Sequence, residues 1–258
     1  MPRYRFTVEY DGTALVGWQR QTNGPSVQAA LEDAVFAFCG ERVTVNGAGR
    51  TDSGVHALGQ VCHVDLAKDH PVRTVANAVN FHLKPAPIAV TEVSVADADF
   101  HARFSATSRH YLYRILNRPA PPTVDRDRVW AVAPRLSASA MNRAAQSFVG
   151  RHDFTTFRDA QCQALSPVKT LDVFKVVRAG DEIRCTVSAR SFLHHQVRSM
   201  VGTLKLIGEG KWPETAVAEA LVARDRSRCG PTAPAAGLYL MRVGYEPRTD
   251  AADADSDG

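Results

Sequence analysis

The order of strand and helix patterns along the chain repeats once, and this repeat restricts the folds that the chain can adopt. In residues 3–10 apolar and polar side chains alternate, which predicts a half-buried strand that ends at Asp11-Gly12. A helix, strands, a second helix and a further strand are predicted up to residue 95, and residues 109–245 partly repeat this order. Strands joined mostly as hairpins, with helices on one face, indicate an α+β fold with two related lobes and a groove between them.

Capping and turn residues set the limits of the predicted elements. Ser26 is suited to cap a helix that Gly40 ends, and Asn46-Gly47 predicts a turn. In the first half, strands are predicted at residues 3–10, 42–45, 60–66 and 88–95, and helices after Ser26 and Pro71. In the second half, strands are predicted at residues 109–116, 171–178, 182–189 and 237–245, and helices from Ser137, over 193–207 and over 214–223.

Composition excludes several classes of protein. With 258 residues, 45% of them hydrophobic and 22% charged, the chain suits one large or two small domains of a globular protein. Its apolar stretches are too short to span a bilayer, and no signal-peptide pattern is evident, so no membrane partner is predicted. The five cysteines are scattered without a Cys-x-x-Cys pair, which argues against a zinc cage or a disulfide framework and predicts a cytoplasmic protein.

Charge is distributed unevenly along the chain. The net charge is +4, but residues 250–258 contain four aspartates and no basic residue, so the remainder carries a net charge of +8. This acidic segment is short, polar and free of aromatic side chains, and residues 248–258 are predicted to form a disordered tail. A charge of +8 suits a polyanionic partner such as a nucleic acid.

Residues 48–57, Ala-Gly-Arg-Thr-Asp-Ser-Gly-Val-His-Ala, contain one carboxylate between two closely spaced glycines. Gly49 and Gly54 predict a tight, irregular loop around Asp52. Arg50 is close enough in sequence to keep Asp52 ionised, and an ionised, positioned aspartate can be a nucleophile or a general base. An aspartate in a glycine-rich turn also commonly caps backbone amides, and the spacing alone favours that interpretation.

Further segments resemble, in the same order, the motifs of the tRNA pseudouridine synthase A family, whose Gly-Arg-Thr-Asp-x-Gly-Val-His signature matches residues 49–56. The other matching segments are Tyr10–Thr13, Gly17–Gln21, Phe100–Thr107, Tyr111-x-Tyr113, Phe192–Arg198 with Gly202, and Gly237–Leu240. The resemblance covers roughly residues 3–246. Each motif is moderately specific by itself, and together in this order they are highly specific.

This resemblance implies a pseudouridine synthase fold: two ferredoxin-like or RRM-like halves with mixed, mainly antiparallel sheets, joined around a basic cleft. It places an N-terminal lobe with the Asp52 loop at residues 1–105 and a C-terminal lobe at residues 106–247. It implies a tRNA partner and an isomerisation of uridine to pseudouridine at positions 38–40 of the anticodon stem-loop, with no cofactor. The family also acts as a homodimer, with one tRNA contacting both subunits.

The resemblance assigns catalytic roles to three side chains. Asp52 matches the nucleophilic aspartate, Tyr111 the active-site tyrosine, and Arg198 the basic residue that pairs with the aspartate. A lone carboxylate suits this isomerisation better than glycoside hydrolysis, which commonly uses a pair of carboxylates. Without the resemblance, the alternation of residues around Tyr111 favours a core position, and Arg198 is equally consistent with a solvated helix residue.

Further basic side chains are candidates for substrate contacts: Arg50, Arg20, His56, Arg103, Arg109 and His110. Tyr111 is also a candidate, because its ring can stack on an extruded uracil. Arg20 lies near Trp18, and a basic side chain beside an aromatic one suits phosphate contact together with base stacking. Lys169 stands where relatives usually have arginine, which keeps a charge but loses a bidentate contact. Individually, each basic residue is more often an ordinary surface charge.

The adjacent residues His194 and His195 also raise the question of a metal site. If both lie on the helix predicted from Leu193, their side chains diverge by about 100° and cannot easily bind one ion. They are therefore predicted to be a polar helix edge or RNA contacts, and no metal site is predicted.

Two other classes of function are consistent with parts of the sequence. A catalytically silent RNA-binding protein of RRM-like architecture needs the positive charge but not Asp52, and typical aromatic RNP motifs are not evident. An RNA-base hydrolase or deaminase belongs to a different class of enzyme, and zinc deaminases need a His/Cys metal set that is missing here. The sequence therefore predicts a tRNA pseudouridine synthase.

Overall fold

Ten strands form one mixed sheet in the computed structural model, which describes residues 1–246. The strands are β1 (Arg3–Tyr10), β2 (Asn46–Gly47), β3 (His56–Asp65), β4 (Ile88–Ala96), β5 (Ser108–Leu116), β6 (Trp130–Ala131), β7 (Gly150–Asp153), β8 (Val168–Ala179), β9 (Glu182–Ala189) and β10 (Leu238–Gly244). The helices are α1 (Val27–Cys39), α2 (Val72–Leu83), α3 (Ala138–Ala145), α4 (Gln196–Gly208) and α5 (Ala216–Ala223). Among residues 1–246, no helix is both long and apolar enough to cross a membrane. The predicted tail at residues 248–258 lies outside the described part of the chain.

Four strands and two helices in each half share one arrangement. In chain order they are β1-α1-β2-β3-α2-β4 in the first half and β5-α3-β8-β9-α4-β10 in the second half. The strand order is β4-β1-β3, with β2 paired on β3, in the first half and β10-β5-β9-β8 in the second half. Both orders place the fourth strand beside the first, as a β-α-β-β-α-β chain does in ferredoxin-like folds. Pairs within these units are antiparallel, whereas β3 and β10 join the two halves as parallel partners. The α+β class with two ferredoxin-like halves is thereby confirmed, while the domain boundaries at residues 105 and 247 stay predictions.

Local sequence explains the first strand and the first helix. In β1 buried residues alternate with more exposed ones, because Tyr4 and Phe6 face the core. α1 begins where the side chain of Ser26 accepts the backbone N–H of Ala29 at 3.3 Å. It ends at Gly40, whose φ of 76° is in the left-handed region that glycine adopts readily. Both ends of α1 therefore match the prediction.

Two large clusters of buried side chains form the core, one mainly in each half. Each cluster also takes a residue from the other half: Val55 lies in the second cluster and Leu240 in the first. Tyr111 packs against both clusters. The two halves therefore interlock at the centre of the sheet, where β3 pairs with β10.

Several predicted elements differ in the structure; β3 begins at His56 and β8 at Val168, earlier than the predicted residues 60 and 171. Residues 42–45 lie outside the strands, and Asn46–Gly47 form the short strand β2 instead of a turn. The reason is tertiary: Asn46 and Gly47 pair with β3, and a Cβ at Gly47 would lie 2.5 Å from the ring of Trp18, so glycine permits the close packing there. The helix predicted over residues 193–207 begins at Gln196, which changes the position of the two histidines before it.

Candidate active site

The loop that carries Asp52 joins β2 to β3. It packs against the N-terminal motif, which comprises the segments Tyr10–Thr13 and Gly17–Gln21. The backbone N–H of Trp18 donates to the carbonyl oxygen of Thr51 at 3.1 Å, and the hydroxyl oxygens of Tyr10 and Thr51 are 2.8 Å apart. Gly17 has a φ of 104°, and a Cβ at this position would lie 2.4 Å from the Thr51 carbonyl oxygen. Glycine alone permits both this conformation and this close approach. The N-terminal motif thus holds the Asp52 loop in place.

Two imidazoles and one guanidinium surround the carboxylate of Asp52. Nη1 of Arg198 and Nε2 of His195 lie 3.0 Å and 3.2 Å from its Oδ2. Nε2 of His194 lies 3.3 Å from its Oδ1. Arg198 lies on α4, and its Nε donates a hydrogen bond to the carbonyl oxygen of Ala233 at 2.8 Å, which holds the guanidinium in place. Asp52 comes from the first half and the basic groups from the second, so the cluster forms where the halves meet.

Asp159 lies behind the two histidines. Its Oδ2 is 2.7 Å from Nδ1 of His195, and its Oδ1 is 3.7 Å from Nδ1 of His194. Each imidazole therefore has one ring nitrogen beside Asp159 and the other beside Asp52. Sequence reasoning missed Asp159, because it lies 36 residues before His195 and belongs to no pattern that identifies it.

Burial and charge act in opposite directions on Asp52. Burial raises the pKa of this carboxyl, but its contacts with His195 and Arg198 lower the pKa further than burial raises it. The contact with Asp52 in turn raises the pKa of His195 against the effect of burial, and Asp159 adds to this rise. Asp52 is therefore ionised at neutral pH.

The turn before α4 directs both histidines to the same carboxylate. His195 adopts a left-handed conformation with φ of 60° and precedes the first helical residue, Gln196. The ring centroids of His194 and His195 are 3.9 Å apart, with an interplanar angle of 31°. The expectation that these side chains diverge as on a helix is wrong, because neither residue lies within α4. Both imidazoles therefore face the same carboxylate, that of Asp52.

Tyr111 lies on β5 and interacts electrostatically with Asp52. Its ring packs edge-on against Phe192, with centroids 5.2 Å apart. Burial raises the pKa of its hydroxyl to about 12, an effect that Arg109 opposes and the Asp52 carboxylate reinforces. Among the described residues this hydroxyl has no hydrogen-bond partner. Tyr111 therefore presents a neutral phenol that a ligand can engage.

Arg109 was a candidate for the cleft, and the structure places it in the interior instead. It is 9% exposed, and its guanidinium donates to the carbonyl oxygens of Ala48 at 2.7 Å and Arg103 at 2.9 Å. A further bond reaches the carbonyl oxygen of Arg190. Ala48 begins the loop that carries Asp52. Arg109 thus ties together the backbone segments around the site, and its charge is used inside the protein.

The predicted substrate contacts on the surface differ in whether their side chains are already bound by ion pairs within the protein. Arg50 and Arg103 are exposed, and the side chain of Arg50 makes no ion pair or hydrogen bond with any residue in 1–246. Arg20 is held on α1 by Glu32 at 2.8 Å and by Asp33 at 3.0 Å. Arg50 and Arg103 are therefore more available to a polyanion than Arg20.

One further residue of the predicted binding set, His56, is buried, and so is Trp18, the aromatic neighbour of Arg20. His56 is 2% exposed, and its Nδ1 accepts the backbone N–H of Gly12 at 3.1 Å while its Nε2 lies 3.1 Å from the carbonyl oxygen of Asp127. Trp18 is 4% exposed, so its predicted role as a stacking platform is wrong. His56 therefore supports the fold beside the Asp52 loop, with both ring nitrogens engaged inside the protein.

Comparison with known proteins agrees with the motifs. A family model described as tRNA pseudouridine synthase matches residues 7–105 and 144–246. The tRNA pseudouridine synthase A of Maricaulis maris is 62% identical to this chain over 245 residues, which cover 95% of this chain and 98% of that protein. The chain belongs to the tRNA pseudouridine synthase A family. Members from Paramagnetospirillum magneticum and Rhodospirillum rubrum are 60% and 58% identical, over 95% and 97% of this chain and 96% and 90% of their own lengths.

Membership confirms the predicted family, the pseudouridine synthase fold and the class of enzyme, an isomerase that forms pseudouridine in tRNA. Among solved structures, a chain of a Cbf5-Nop10-Gar1 complex matches with a TM-score of 0.33 and 12% identity, over 79% of this chain and 44% of that chain. The roles of individual site residues stay predictions, although the structure brings Asp52 and Arg198 into contact.

Proposed function

We propose that this member of the family isomerises uridine to pseudouridine at positions 38–40 of the tRNA anticodon stem-loop, with Asp52 as the nucleophile. Family membership supports the reaction and the tRNA substrate. The observation that carries the role of Asp52 is its ionised carboxylate, held by Arg198 and His195 where the two halves of the sheet meet.

The reaction requires no redox partner or group donor. The C1′–N1 glycosidic bond breaks, the uracil turns, and a C1′–C5 bond forms; C5 loses a proton and N1 gains one. An ionised aspartate can add to C1′, add to C6 of the ring, or assist formation of a glycal intermediate. Each route needs an ionised carboxylate that reaches an extruded nucleotide. The side chain of Asp52 is 23% exposed and has a lowered pKa, which meets both needs.

Arg198 and Tyr111 complete the proposed catalytic group. Arg198 keeps Asp52 ionised and fixes one of its oxygens at 3.0 Å. The ring of Tyr111 suits stacking on the uracil, and its hydroxyl, with a pKa raised to about 12, keeps its proton at neutral pH. As a neutral phenol it can donate a hydrogen bond to the uracil or take part in moving the C5 proton.

Arg50 and Arg103 are the proposed contacts to the RNA. Both are exposed, and Arg50 lies in the Asp52 loop, two residues before the aspartate. The guanidinium of Arg103 lies 5.7 Å from the ring centroid of Phe104, which is 73% exposed. A basic group beside an exposed ring suits phosphate contact and stacking on an unpaired base. The net charge of +8 outside the acidic segment agrees with a tRNA partner.

We also infer a cytoplasmic homodimer in which one tRNA contacts both subunits. All five cysteines are free, which suits a reducing compartment, and the family resemblance implies the dimer. Analytical ultracentrifugation of the protein with tRNA is expected to give two subunits and one tRNA per complex. A complex of one subunit with one tRNA would refute this stoichiometry.

The main test maps pseudouridine in unmodified tRNA transcripts after incubation with purified protein and no added cofactor. Wild type is expected to modify uridines at positions 38–40. Asp52→Asn is expected to form none yet to bind tRNA within a few-fold of wild type, because the amide is nearly isosteric but is not a nucleophile. Asp97→Asn changes an exposed aspartate outside the cluster and is the matched control. Appreciable activity of Asp52→Asn would remove Asp52 from this role.

A further inference from the structure

We propose that Asp52, His194 and His195 form a Zn²⁺ site, and that Zn²⁺ bound there blocks the proposed nucleophile. The Nε2 atoms of His194 and His195 lie 3.3 Å and 3.2 Å from the Asp52 carboxylate. One ligand atom from each of the three residues lies within 4.8 Å of the others. Two imidazoles and a carboxylate are a ligand set that Zn²⁺ uses in proteins, with a fourth position left for water or substrate.

The spacing of the ligand atoms matches the size of the ion. Zn–N and Zn–O bonds of about 2.0–2.2 Å in a tetrahedron place neighbouring ligand atoms about 3.3–3.5 Å apart. The contact between Nε2 of His194 and Oδ1 of Asp52 already has nearly this length, whereas Nε2 of His195 lies 3.2 Å from the other carboxylate oxygen, Oδ2. One ligand atom of each residue lies within 4.8 Å of the others, so Nε2 of His195 has to move towards both Oδ1 and the imidazole of His194. Rotation of the His195 and Asp52 side chains therefore completes the site.

Asp159 supplies the outer contact that zinc-binding histidines commonly have. Its carboxylate is 2.7 Å from Nδ1 of His195 and 3.7 Å from Nδ1 of His194. A carboxylate at Nδ1 fixes the tautomer that leaves Nε2 free for a metal and makes the imidazole a better ligand. Asp159 thus orients His195 through a hydrogen bond and places a negative charge near His194.

The local charge permits a divalent cation. Zn²⁺ binds the neutral imidazoles, so a proton held by either histidine is released to solvent as the ion binds. Asp52 and Asp159 then contribute two negative charges and Arg198 one positive charge. Arg198 contacts Oδ2 of Asp52, which leaves Oδ1 to bind an ion. The side chain of His194 is 38% exposed, so the ion has a path from solvent.

The effect on catalysis rests on the proposed function, whereas the binding does not. A Zn–O bond engages an electron pair of the carboxylate with which Asp52 attacks. Bound Zn²⁺ therefore stops the formation of pseudouridine, and a chelator restores it.

Co²⁺ reports the binding directly, because its visible absorption depends on coordination geometry. Metal-free wild type is expected to bind one Co²⁺ per chain with the strong absorption of a tetrahedral site, and Zn²⁺ is expected to displace it. Absence of this absorption at saturating Co²⁺ would overturn the proposal.

Four variants locate the ion. His194→Gln removes a ligand and is expected to abolish the tetrahedral spectrum. Asp159→Asn removes the outer contact and is expected to weaken Zn²⁺ binding about 10–100-fold. His82→Gln deletes an exposed imidazole on α2 and is expected to change nothing. Cys162→Ser tests a competing ligand, since Sγ of Cys162 accepts the N–H of His194 at 3.4 Å. Loss of Co²⁺ binding in Cys162→Ser or His82→Gln would overturn the assignment.

The activity measurement separates the two proposals. Pseudouridine formation by wild type is expected to fall over the range of Zn²⁺ concentration in which the ion binds, and to return with chelator. In Asp159→Asn the same inhibition is expected to need about 10–100-fold more Zn²⁺. Binding without inhibition would overturn the block of Asp52. A metal-free wild type that forms no pseudouridine would refute the proposed function and leave the Co²⁺ result intact.

Discussion

At Asp52 the charges of its neighbours outweigh the effect of burial. The pKa of the carboxyl lies below its ordinary value of 3.8 although burial raises it, because His195 and Arg198 both lie within 3.2 Å. A lowered pKa means that Asp52 stays ionised through the neutral range and loses its charge only in acid. Removing one of its cationic neighbours should therefore move the pH at which Asp52 becomes active.

Arg198→Ala is expected to lower kcat/KM at neutral pH by about 100-fold, because it removes both a charge and a constraint on the position of Asp52. The pKa of Asp52 should rise, so the acid limb of the profile of rate against pH should shift to higher pH. Activity is then expected to recover partly as the pH increases. Steady-state rates between pH 5 and 9 measure both effects.

The variant Arg198→Lys is the control for charge, since it keeps the cation but loses the planar guanidinium. It is expected to shift the acid limb less than Arg198→Ala. Wild-type rates for Arg198→Ala at neutral pH would show that the contact of 3.0 Å with Asp52 has no part in catalysis.

At Tyr111, two variants separate the ring from the hydroxyl. If the hydroxyl takes part in moving the C5 proton, Tyr111→Phe should bind tRNA as wild type does and form product at least about 100-fold more slowly. Tyr111→Leu should also lose stacking and bind the substrate more weakly. Single-turnover rates and tRNA affinities measure the two effects. A Phe variant as active as wild type, beside an inactive Leu variant, would restrict the role to the ring.

At the scale of elements, the site depends on how two irregular segments are held. The loop between β2 and β3 rests on the N-terminal motif through a hydrogen bond of 3.1 Å from the backbone N–H of Trp18 to the carbonyl oxygen of Thr51. The turn before α4 relies on the left-handed conformation of His195. Neither segment is regular secondary structure, so its shape comes from contacts with its neighbours.

Gly17→Ala and Gly40→Ala separate backbone strain from close contact. Both glycines have positive φ, 104° and 76°, so alanine should cost each about 1–2 kcal/mol. A Cβ at residue 17 meets the Thr51 carbonyl oxygen at 2.4 Å, whereas a Cβ at residue 40 has nothing within 4 Å. Thermal unfolding should show a lower Tm for both and a larger loss for Gly17→Ala. Only Gly17→Ala should also lose kcat, because Thr51 precedes Asp52; full activity would contradict this.

At the scale of the whole molecule, buried histidines make the folded state sensitive to acid. Nδ1 of His63 on β3 accepts the backbone N–H of Ala102 at 3.2 Å, near the start of the second half. Burial lowers the pKa of His63 from 6.5 to about 4. A protonated Nδ1 cannot accept this bond, so the folded state resists protonation and the unfolded chain takes up the proton first.

The free energy of unfolding should therefore fall as the pH drops from about 6.5 to about 4, with His63 contributing about 3 kcal/mol at most. Above pH 6.5 this contribution is fully present. His63→Asn keeps an acceptor for Ala102 without a titrating ring, so its stability should depend less on pH in this window. His82→Gln, which changes an exposed ring, should keep the wild-type slope. Denaturant unfolding at several pH values checks this; equal slopes for wild type and His63→Asn would contradict it.

The sequence by itself determined the order of the elements and the family. Alternation in β1 and the cap of α1 at Ser26 are local, because each depends on residues within one turn or one strand. The repeat of strand and helix patterns therefore predicted two similar halves. The motifs also pointed to Asp52 and Arg198, which lie 146 residues apart in sequence. In the structure, Nη1 of Arg198 lies 3.0 Å from Oδ2 of Asp52.

Only the tertiary structure decided how the other groups meet Asp52. The turn at His195 sets the direction of both histidines, and Asp159 reaches His195 across 36 residues. Arg109 bonds to Ala48 across 61 residues, which makes it an internal brace and not an RNA contact. These contacts depend on the packing of segments that are distant in sequence, and the pattern within one segment holds no information about its partner.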